Sequence, residues 1–204
     1  TGIVVLLCVS VVLAVKVPFA GKASSVAPAG ELDKPAPRAK GSPTAPVKVV
    51  EFTDFQCPAC AKAAETVEEV LEKYPGKIYF EMKYFPLSMH AHASRAAIYA
   101  DCALQQGKFW PFYEVIFKSQ TSWAKMTSVD SYFSQLAVSL GMDGVGLAAC
   151  VNGPEAAVSV NRDVEEGGKR GVNSTPTFFV NGTMVVGGQE FVKTLGEALQ
   201  ADAK

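Results

Sequence analysis

Two cysteines separated by two residues, Cys57 and Cys60, are the side chains of this sequence best suited to covalent chemistry. Thiols at this spacing can close into a small disulfide ring and reopen by exchange with an external thiol or disulfide. Pro58 is typical of the start of a helix, where the helix dipole and free backbone N–H groups favour a thiolate on Cys57. We therefore predict that Cys57 exchanges with the external partner and that Cys60, one turn inside the helix, resolves the mixed disulfide.

The residues around the two cysteines predict the elements that hold them. Residues 47–55 form an apolar run rich in β-branched and aromatic side chains, of the length of a buried strand. Apolar residues then recur at helical spacing until Pro75-Gly76, and residues 77–84 alternate in polarity as a second strand does. This order predicts a βαβ unit with a parallel pair of strands, in which the two thiols lie at the strand-to-helix junction.

The rest of the chain predicts a helical insertion followed by a return to strands. Residues from about 88 to 168 show helical periodicity interrupted by glycines. Two short apolar runs, 177–180 and 183–186, flank Asn181-Gly182, which is the strongest short signal for a hairpin, and an amphipathic helix follows. The predicted fold class is α/β, with a helical subdomain inserted after the first βαβ unit.

Two other interpretations of Cys57 and Cys60 remain open. Half of a zinc site would need two further Cys or His ligands, and His90 and His92 do not form a suitable second pair. A purely structural disulfide is the other alternative. We favour a redox-active dithiol, predict neither metal nor cofactor, and expect the two histidines to be surface or capping residues.

The first 43 residues differ in composition from the rest. Residues 3–15 are almost wholly apolar, and residues 18–43 are rich in Pro, Ala, Gly and Ser. We predict a signal peptide or membrane anchor at 1–17, a flexible linker at 18–43 and a folded domain at 44–204. Residues 1–17 have two alternatives, a buried element or the end of a fused membrane domain. Export would place the domain in the periplasm or on the outer face of the cytoplasmic membrane, where disulfides persist.

Cys102 and Cys150 lie in separate segments of the predicted helical region. As a pair they would form a structural disulfide that closes a loop of about 50 residues. As single thiols they would be small buried apolar residues. We favour the bridge, because free thiols in an exported protein are exposed to oxidants.

Three separated motifs carry a family resemblance. They are Val49-Val50-Glu51-Phe52-Thr53-Asp54-Phe55-Gln56-Cys57-Pro58-Ala59-Cys60, Cys102-Ala103-Leu104-Gln105-Gln106-Gly107-Lys108-Phe109-Trp110 and Gly171-Val172-Asn173-Ser174-Thr175-Pro176-Thr177-Phe178-Phe179-Val180-Asn181-Gly182. Over about residues 44–203 the chain resembles the DsbA-like branch of the thioredoxin superfamily. The resemblance implies a thioredoxin-like fold with a helical subdomain at about 88–168, and protein thiol-disulfide oxidoreductase activity.

The resemblance also implies roles for three residues outside the dithiol. Thr175 and Pro176 match the residue and the cis-proline that face the active disulfide in this superfamily. Glu51 matches the acidic residue buried beneath the dithiol, a candidate proton acceptor for Cys60. A simpler interpretation of Glu51 is a carboxylate paired with Lys83 on the adjacent strand, and both can hold together.

The chain departs from the family pattern at Ala59. Strongly oxidising members carry histidine between the proline and the second cysteine, where an imidazolium stabilises the thiolate and makes the disulfide more oxidising. That contribution is missing here. The sequence therefore leaves the favoured direction of electron flow open.

We predict an exported enzyme that introduces disulfides into substrate proteins through Cys57 and Cys60. A quinone-linked membrane thiol oxidase, similar to DsbB or to vitamin K epoxide reductase, would reoxidise it. The alternatives are a disulfide reductase or isomerase, a metal-binding or metal-delivery module, and an interaction domain without turnover. A net charge of -1 with mixed signs along the chain disfavours nucleic-acid binding.

Overall fold

The order of strands and helices is seen over residues 38–202, which the computed structural model describes. The strands are β1 (Ala39–Lys40), β2 (Val47–Thr53), β3 (Ile78–Tyr84), β4 (Thr177–Val180) and β5 (Thr183–Val186). The helices are α1 (Pro58–Lys73), α2 (Ala93–Gln105), α3 (Phe109–Lys118), α4 (Gln120–Trp123), α5 (Asp130–Ser139), α6 (Gly144–Asn152), α7 (Glu155–Lys169) and α8 (Gly188–Asp202). From β2 onward this order confirms the predicted α/β fold, with α2 to α7 as the helical insertion.

The five strands form one mixed sheet in the order β1-β3-β2-β4-β5. The central strand β2 runs parallel to β3, with Val47 opposite Ile78, as the βαβ unit predicted. It runs antiparallel to β4, which joins β5 through the predicted hairpin. Asn181 and Gly182 have φ values of 47° and 87° in that turn, which suits the twist of a two-residue hairpin.

The sheet begins earlier than we predicted. Strand β1 pairs antiparallel with β3, and Arg38 just before it donates from Nε to the Met82 carbonyl oxygen at 3.1 Å. The Arg38 guanidinium also forms ion pairs with Asp101 at 3.4 Å and Asp163 at 2.5 Å, and lies 4.1 Å from the centre of the Tyr84 ring. The predicted boundary at residue 44 is therefore wrong, because these contacts hold the chain from Arg38 onward.

The predicted anchor and most of the predicted linker lie outside the described residues. Over residues 38–202, no helix has both the length and the apolar character needed to span a membrane.

The inserted helices pack around buried aromatic side chains and contain a disulfide. Trp123 and Phe133 are fully buried with ring centres 5.0 Å apart. Cys102 on α2 is bonded to Cys150 on α6, with Cα atoms 5.8 Å apart. The two cysteines are 48 residues apart in sequence, so the bridge between their helices constrains the subdomain as a unit.

We expect the double substitution Cys102→Ala and Cys150→Ala to lower the free energy of unfolding by about 4 kcal/mol, the loop-closure entropy of a loop of this length. Urea denaturation measures the change. Thiol alkylation followed by mass measurement, without reductant, tests the bridge itself. Alkylation of Cys102 or Cys150 in the oxidised protein would contradict it.

Candidate active site

The dithiol lies in the short connection between the central strand β2 and helix α1. Cys57 is the N-cap residue of α1, with extended backbone (φ -75°, ψ 121°), and Pro58 opens the helix. The carbonyl oxygen of Cys57 accepts hydrogen bonds from the backbone N–H groups of Cys60 at 3.0 Å and Ala61 at 3.2 Å. Cys57 is 8% exposed and Cys60 is fully buried, so Cys57 is the thiol that an external sulfur can reach.

The surroundings of Cys57 stabilise its thiolate. A hydrogen bond from the Cys60 thiol is the strongest influence, and together with the backbone N–H groups of Cys60 and Ala59 it lowers the pKa of Cys57 to about 5, against the opposing effect of burial. The hydroxyl of Thr175 acts in the same direction. That hydroxyl is buried without a hydrogen-bond partner inside the described range, which leaves it free to donate to the sulfur anion. At neutral pH Cys57 is a thiolate nucleophile.

Cys60 has the opposite character. Burial raises its pKa well above that of an ordinary thiol, and the hydrogen bond to Cys57 and the nearby Glu51 carboxyl group add to the effect. The backbone N–H of Asp54 points at the Cys60 sulfur from 3.5 Å. A proton must therefore leave Cys60 before it can attack a mixed disulfide, and must return to it when it is the leaving group.

Glu51 is a fully buried carboxyl group beneath the dithiol. Neither of its side-chain oxygens has a hydrogen-bond partner within residues 38–202. Burial raises the pKa of Glu51 to about 8, and the nearby Thr53 hydroxyl opposes the shift. The group is mostly protonated at neutral pH and can still ionise under mild conditions.

The predicted ion pair between Glu51 and Lys83 is wrong. The register places Glu51 opposite Met82, so Lys83, one residue further along β3, points to the other face of the sheet. Lys83 instead forms ion pairs with Glu81 at 3.2 Å and Glu166 at 2.7 Å.

The loop before β4 forms the opposite wall of the site. The peptide bond between Thr175 and Pro176 is cis, and the Thr175 carbonyl oxygen lies 3.5 Å from the Cys57 sulfur, where it can accept a hydrogen bond from the protonated thiol. The next residue, Thr177, ties the loop down through a hydroxyl bond of 2.7 Å to the Ser174 carbonyl oxygen. The structure thus brings the five predicted site residues together from two distant parts of the chain.

Residues 33–201 match the family model described as thioredoxin. The chain belongs to the thioredoxin family. Among curated relatives, the Na(+)/H(+) antiporter NhaA 1 of Mycolicibacterium gilvum (strain PYR-GCK) is 30% identical over 146 residues, which is 70% of this chain. NhaA 3 of Salinispora tropica is 33% identical over 144 residues, also 70% of this chain. The chain spans only 23% and 21% of the length of those two proteins.

Several solved structures, two of them of DsbA-type proteins, have a fold similar to that of this thioredoxin-family chain. Wolbachia pipientis alpha-DsbA1 has a TM-score of 0.71 at 22% identity, covering 84% of this chain and 96% of that one. BdbD from Bacillus subtilis has a TM-score of 0.69 at 23% identity, covering 80% and 92%. A thioredoxin-like oxidoreductase from Silicibacter pomeroyi DSS-3 gives 0.66 at 24%, covering 79% and 91%. The family match and the solved structures confirm the predicted thioredoxin-like fold, and Cys57 and Cys60 are free thiols in it.

Two side-chain amides, which were not predicted from the sequence, hold the backbone beside the dithiol of this thioredoxin-family chain. Gln120 of α4, only 6% exposed, donates from Nε2 to the carbonyl oxygens of Phe55 at 2.8 Å and Cys57 at 3.0 Å. Gln56 donates from Nε2 to the Ala124 carbonyl oxygen at 2.8 Å. The inserted subdomain therefore fixes the backbone on both sides of the first cysteine. No sequence pattern distinguishes these glutamines from solvated ones.

A second anchor, also missed, is the buried carboxylate of Asp54. It accepts hydrogen bonds from the backbone N–H groups of Gln56 at 2.7 Å and Leu87 at 2.9 Å, and Nδ1 of His90 lies 2.7 Å from it. We expected His90 at the surface or at a helix cap, whereas its ring joins the loop after β3 to the turn before Cys57. In the described part of the chain, no three His, Cys, Asp or Glu side chains are grouped so as to hold a metal ion.

We expect Gln120→Leu to lower the free energy of unfolding by about 2 kcal/mol, since it leaves two buried carbonyl oxygens each short of a donor. Gln105→Leu, at an exposed position of α2, is the matched control and should change it by less than about 0.5 kcal/mol. Urea denaturation of the two variants compares them. Equal stability would show that Gln120 does not hold the dithiol turn.

Proposed function

We propose that this protein is an exported dithiol oxidase that forms disulfides in substrate proteins. The observation that supports the oxidising direction is the contrast between the two thiols, with the pKa of Cys57 lowered to about 5 and that of Cys60 raised. A stable Cys57 thiolate is a good leaving group and favours the reduced enzyme, so the oxidised enzyme tends to pass its disulfide on. A histidine in place of Ala59 would have stabilised the Cys57 thiolate. Here that stabilisation comes from the Cys60 thiol, the backbone N–H groups and Thr175.

The reaction begins with the Cys57–Cys60 disulfide. A substrate thiolate attacks the Cys57 sulfur, the Cys57–Cys60 bond breaks, and Cys60 leaves with the electron pair and takes a proton from Glu51. A second substrate thiolate then attacks the substrate sulfur of the mixed disulfide and displaces Cys57 as a thiolate. The substrate loses two electrons to the dithiol, which is left reduced.

A cavity beside Ala59 supports proteins with extended segments as substrates. It has a volume of about 500 Å³ and is lined by Ala59, Lys62, Ala63, Thr66, Gly188, Gln189 and Val192. Val192 at its wall and Val186 at the end of β5 are both about half exposed. An apolar side chain of an unfolded substrate can be held there while its cysteine faces Cys57.

The Cys102–Cys150 disulfide supports an oxidising compartment, either the periplasm or the outer face of the cytoplasmic membrane. The names of the curated relatives, which are Na(+)/H(+) antiporters, support a membrane tether for the dithiol domain. We further propose reoxidation by a quinone-linked membrane thiol oxidase similar to DsbB or to vitamin K epoxide reductase.

The favoured direction of electron transfer is tested by measuring the reduction potential of the Cys57–Cys60 couple in equilibrium with glutathione. An oxidase should have a reduction potential above about -200 mV, whereas a reductase should lie near or below the value of about -270 mV for thioredoxin. Oxidation of a reduced model protein, with Cys57→Ser as the inactive control, gives the matching activity. A potential near that of thioredoxin together with a slow oxidation rate would overturn the proposal in favour of a reductase.

A further inference from the structure

In both directions of thiol-disulfide exchange, negative charge forms on the sulfur of Cys60. It forms when Cys60 leaves the disulfide, and again when Cys60 loses its proton to attack a mixed disulfide. Cys60 has no exposed surface, so bulk water cannot solvate this charge. A hydrogen-bond donor of the protein must stabilise it, and this inference rests on the exchange reaction of the proposed function.

The backbone N–H of Asp54 points at that sulfur. It donates to Sγ of Cys60 at 3.5 Å in the interior of the protein. Asp54 is the first residue after the end of β2 at Thr53, so its N–H lies beyond the paired residues of the strand. Its carbonyl oxygen accepts from the backbone N–H of Cys57 at 3.1 Å. Asp54 therefore contacts both cysteines through its backbone.

The side chain of Asp54 fixes the direction of this N–H. The carboxylate is fully buried and accepts from the backbone N–H groups of Gln56 at 2.7 Å and Leu87 at 2.9 Å. Nδ1 of His90 lies 2.7 Å from the same carboxylate. The backbone at Asp54 cannot rotate without breaking one of these contacts, so together they keep its N–H directed at Cys60.

His90 supplies the side-chain contact in this set, whereas Gln56 and Leu87 donate from the backbone. Its backbone N–H is bonded to the Leu87 carbonyl oxygen at 3.0 Å, in the loop between β3 and α2. The ring is 21% exposed, and its Nδ1 side faces the buried carboxylate. A substitution of His90 can therefore remove one anchor of Asp54 and leave the backbone of the turn unchanged in sequence.

We propose that the Asp54 N–H stabilises the negative charge on Cys60 during exchange, and that His90 is the positioning residue for this N–H. When a substrate thiolate attacks Cys57, the bond between the two cysteines breaks and Cys60 takes the electron pair. The Asp54 N–H then donates to the sulfur anion until the anion is protonated. When Cys60 attacks a mixed disulfide, the same N–H holds the thiolate that forms as its proton leaves.

The hydroxyl of Thr53 is the competing donor. Burial has the largest effect on the pKa of Cys60, and the Thr53 hydroxyl opposes it. Within the described chain, however, this hydroxyl has no hydrogen-bond partner, whereas the Asp54 N–H already donates to the sulfur. Thr53→Val removes the hydroxyl at nearly constant shape, so it separates the two donors.

The test is a rapid-mixing experiment in which the reduced protein reacts with oxidised glutathione, and acid-quenched samples are analysed by mass. The first step, attack by Cys57, forms the mixed disulfide, and the second, attack by Cys60, resolves it. A hydrogen bond to a charged group changes an equilibrium by roughly 10- to 100-fold, and about half of that, on a logarithmic scale, appears in an exchange rate. We expect His90→Ala to slow the second step about fivefold and to leave the first within about twofold.

His90→Asn is the rescuing variant, because the Nδ2 donor of asparagine is attached to Cγ as Nδ1 is in histidine. It should resolve the mixed disulfide within about twofold of the wild-type rate. His92→Ala is the matched control, since Nε2 of that histidine lies 2.7 Å from the Met126 carbonyl oxygen instead. It should change neither step by more than about twofold. Thr53→Val should slow the second step less than His90→Ala does.

The ratio of the two steps separates positioning from a loss of folding, because partly unfolded protein loses both steps together. Resolution at the wild-type rate in His90→Ala overturns the proposal, and so does a slow second step that His90→Asn shares in full. A second step slowed by Thr53→Val alone would assign the stabilisation to the hydroxyl. If the wild-type protein itself fails to resolve the mixed disulfide, the proposed function fails. If the wild type and His90→Ala resolve it equally fast, only the positioning role is wrong.

Discussion

Replacing Cys60 by alanine should raise the pKa of Cys57 from about 5 towards that of an ordinary thiol, because the hydrogen bond from Cys60 is the strongest influence on it. At pH 6 the thiolate fraction then falls, and we expect the alkylation rate of Cys57 to drop roughly 10- to 100-fold. At pH 9 the rates of the variant and the wild type should converge. Alkylation by iodoacetamide as a function of pH measures the shift directly.

Cys60→Ser is the matched variant for this prediction. The serine hydroxyl keeps a donor at the same position, so the pKa of Cys57 should rise less than in Cys60→Ala. Both variants remove the resolving thiol and should accumulate the mixed disulfide on Cys57. A pKa that stays near 5 in both would assign the stabilisation to the backbone N–H groups and Thr175.

Replacing Glu51 by glutamine should make the protein more stable above pH 5. The unfolded carboxyl group ionises near pH 4.5, whereas the folded one holds its proton up to a pKa of about 8. Between these values the unfolded state binds fewer protons, so the wild-type free energy of unfolding falls as the pH rises and levels off above pH 8. The loss amounts to about 3 kcal/mol at pH 7 and should be absent in Glu51→Gln. Urea denaturation from pH 4 to pH 9 gives the two curves.

Glu72→Gln, at an exposed position of α1, controls for the loss of one negative charge and should leave the pH dependence of the wild type in place. Resolution of the mixed disulfide should slow in Glu51→Gln, so the variant gains stability and loses rate. A pH dependence that persists in Glu51→Gln would locate the titrating group elsewhere.

Most of the correct predictions came from short sequence patterns, in which the residues that determine the structure are neighbours in the chain. The thiol spacing, Pro58 and the Asn181-Gly182 turn act through neighbours in the chain, and the structure has the corresponding helix start and hairpin. Arg38 was missed because its partners, Asp101 and Asp163, lie 63 and 125 residues away, and nothing in the proline-rich segment before it indicates them.

Other predictions depended on which face of the sheet a side chain occupies, and that is known only once the strand register is known. Lys83 was a reasonable partner for Glu51 by charge, but the parallel register sends the two side chains to opposite faces of the sheet. The question raised by Ala59 could not be answered from its own identity either. The acidity of Cys57 depends on groups supplied by Cys60 and Thr175, and Thr175 reaches the site only through the fold.

The position of Arg38 also determines where the domain is held. Its carbonyl oxygen accepts from the backbone N–H of Met82, and β1 then runs antiparallel to β3, away from the end at which β2 leads to the dithiol. Arg38 therefore joins the sheet level with Glu51, because Met82 is also the residue opposite Glu51 on β2. The membrane tether proposed above would hold the domain by the half of the sheet that carries the dithiol, and would place Cys57 nearer to a membrane-embedded oxidant than the opposite half of the sheet.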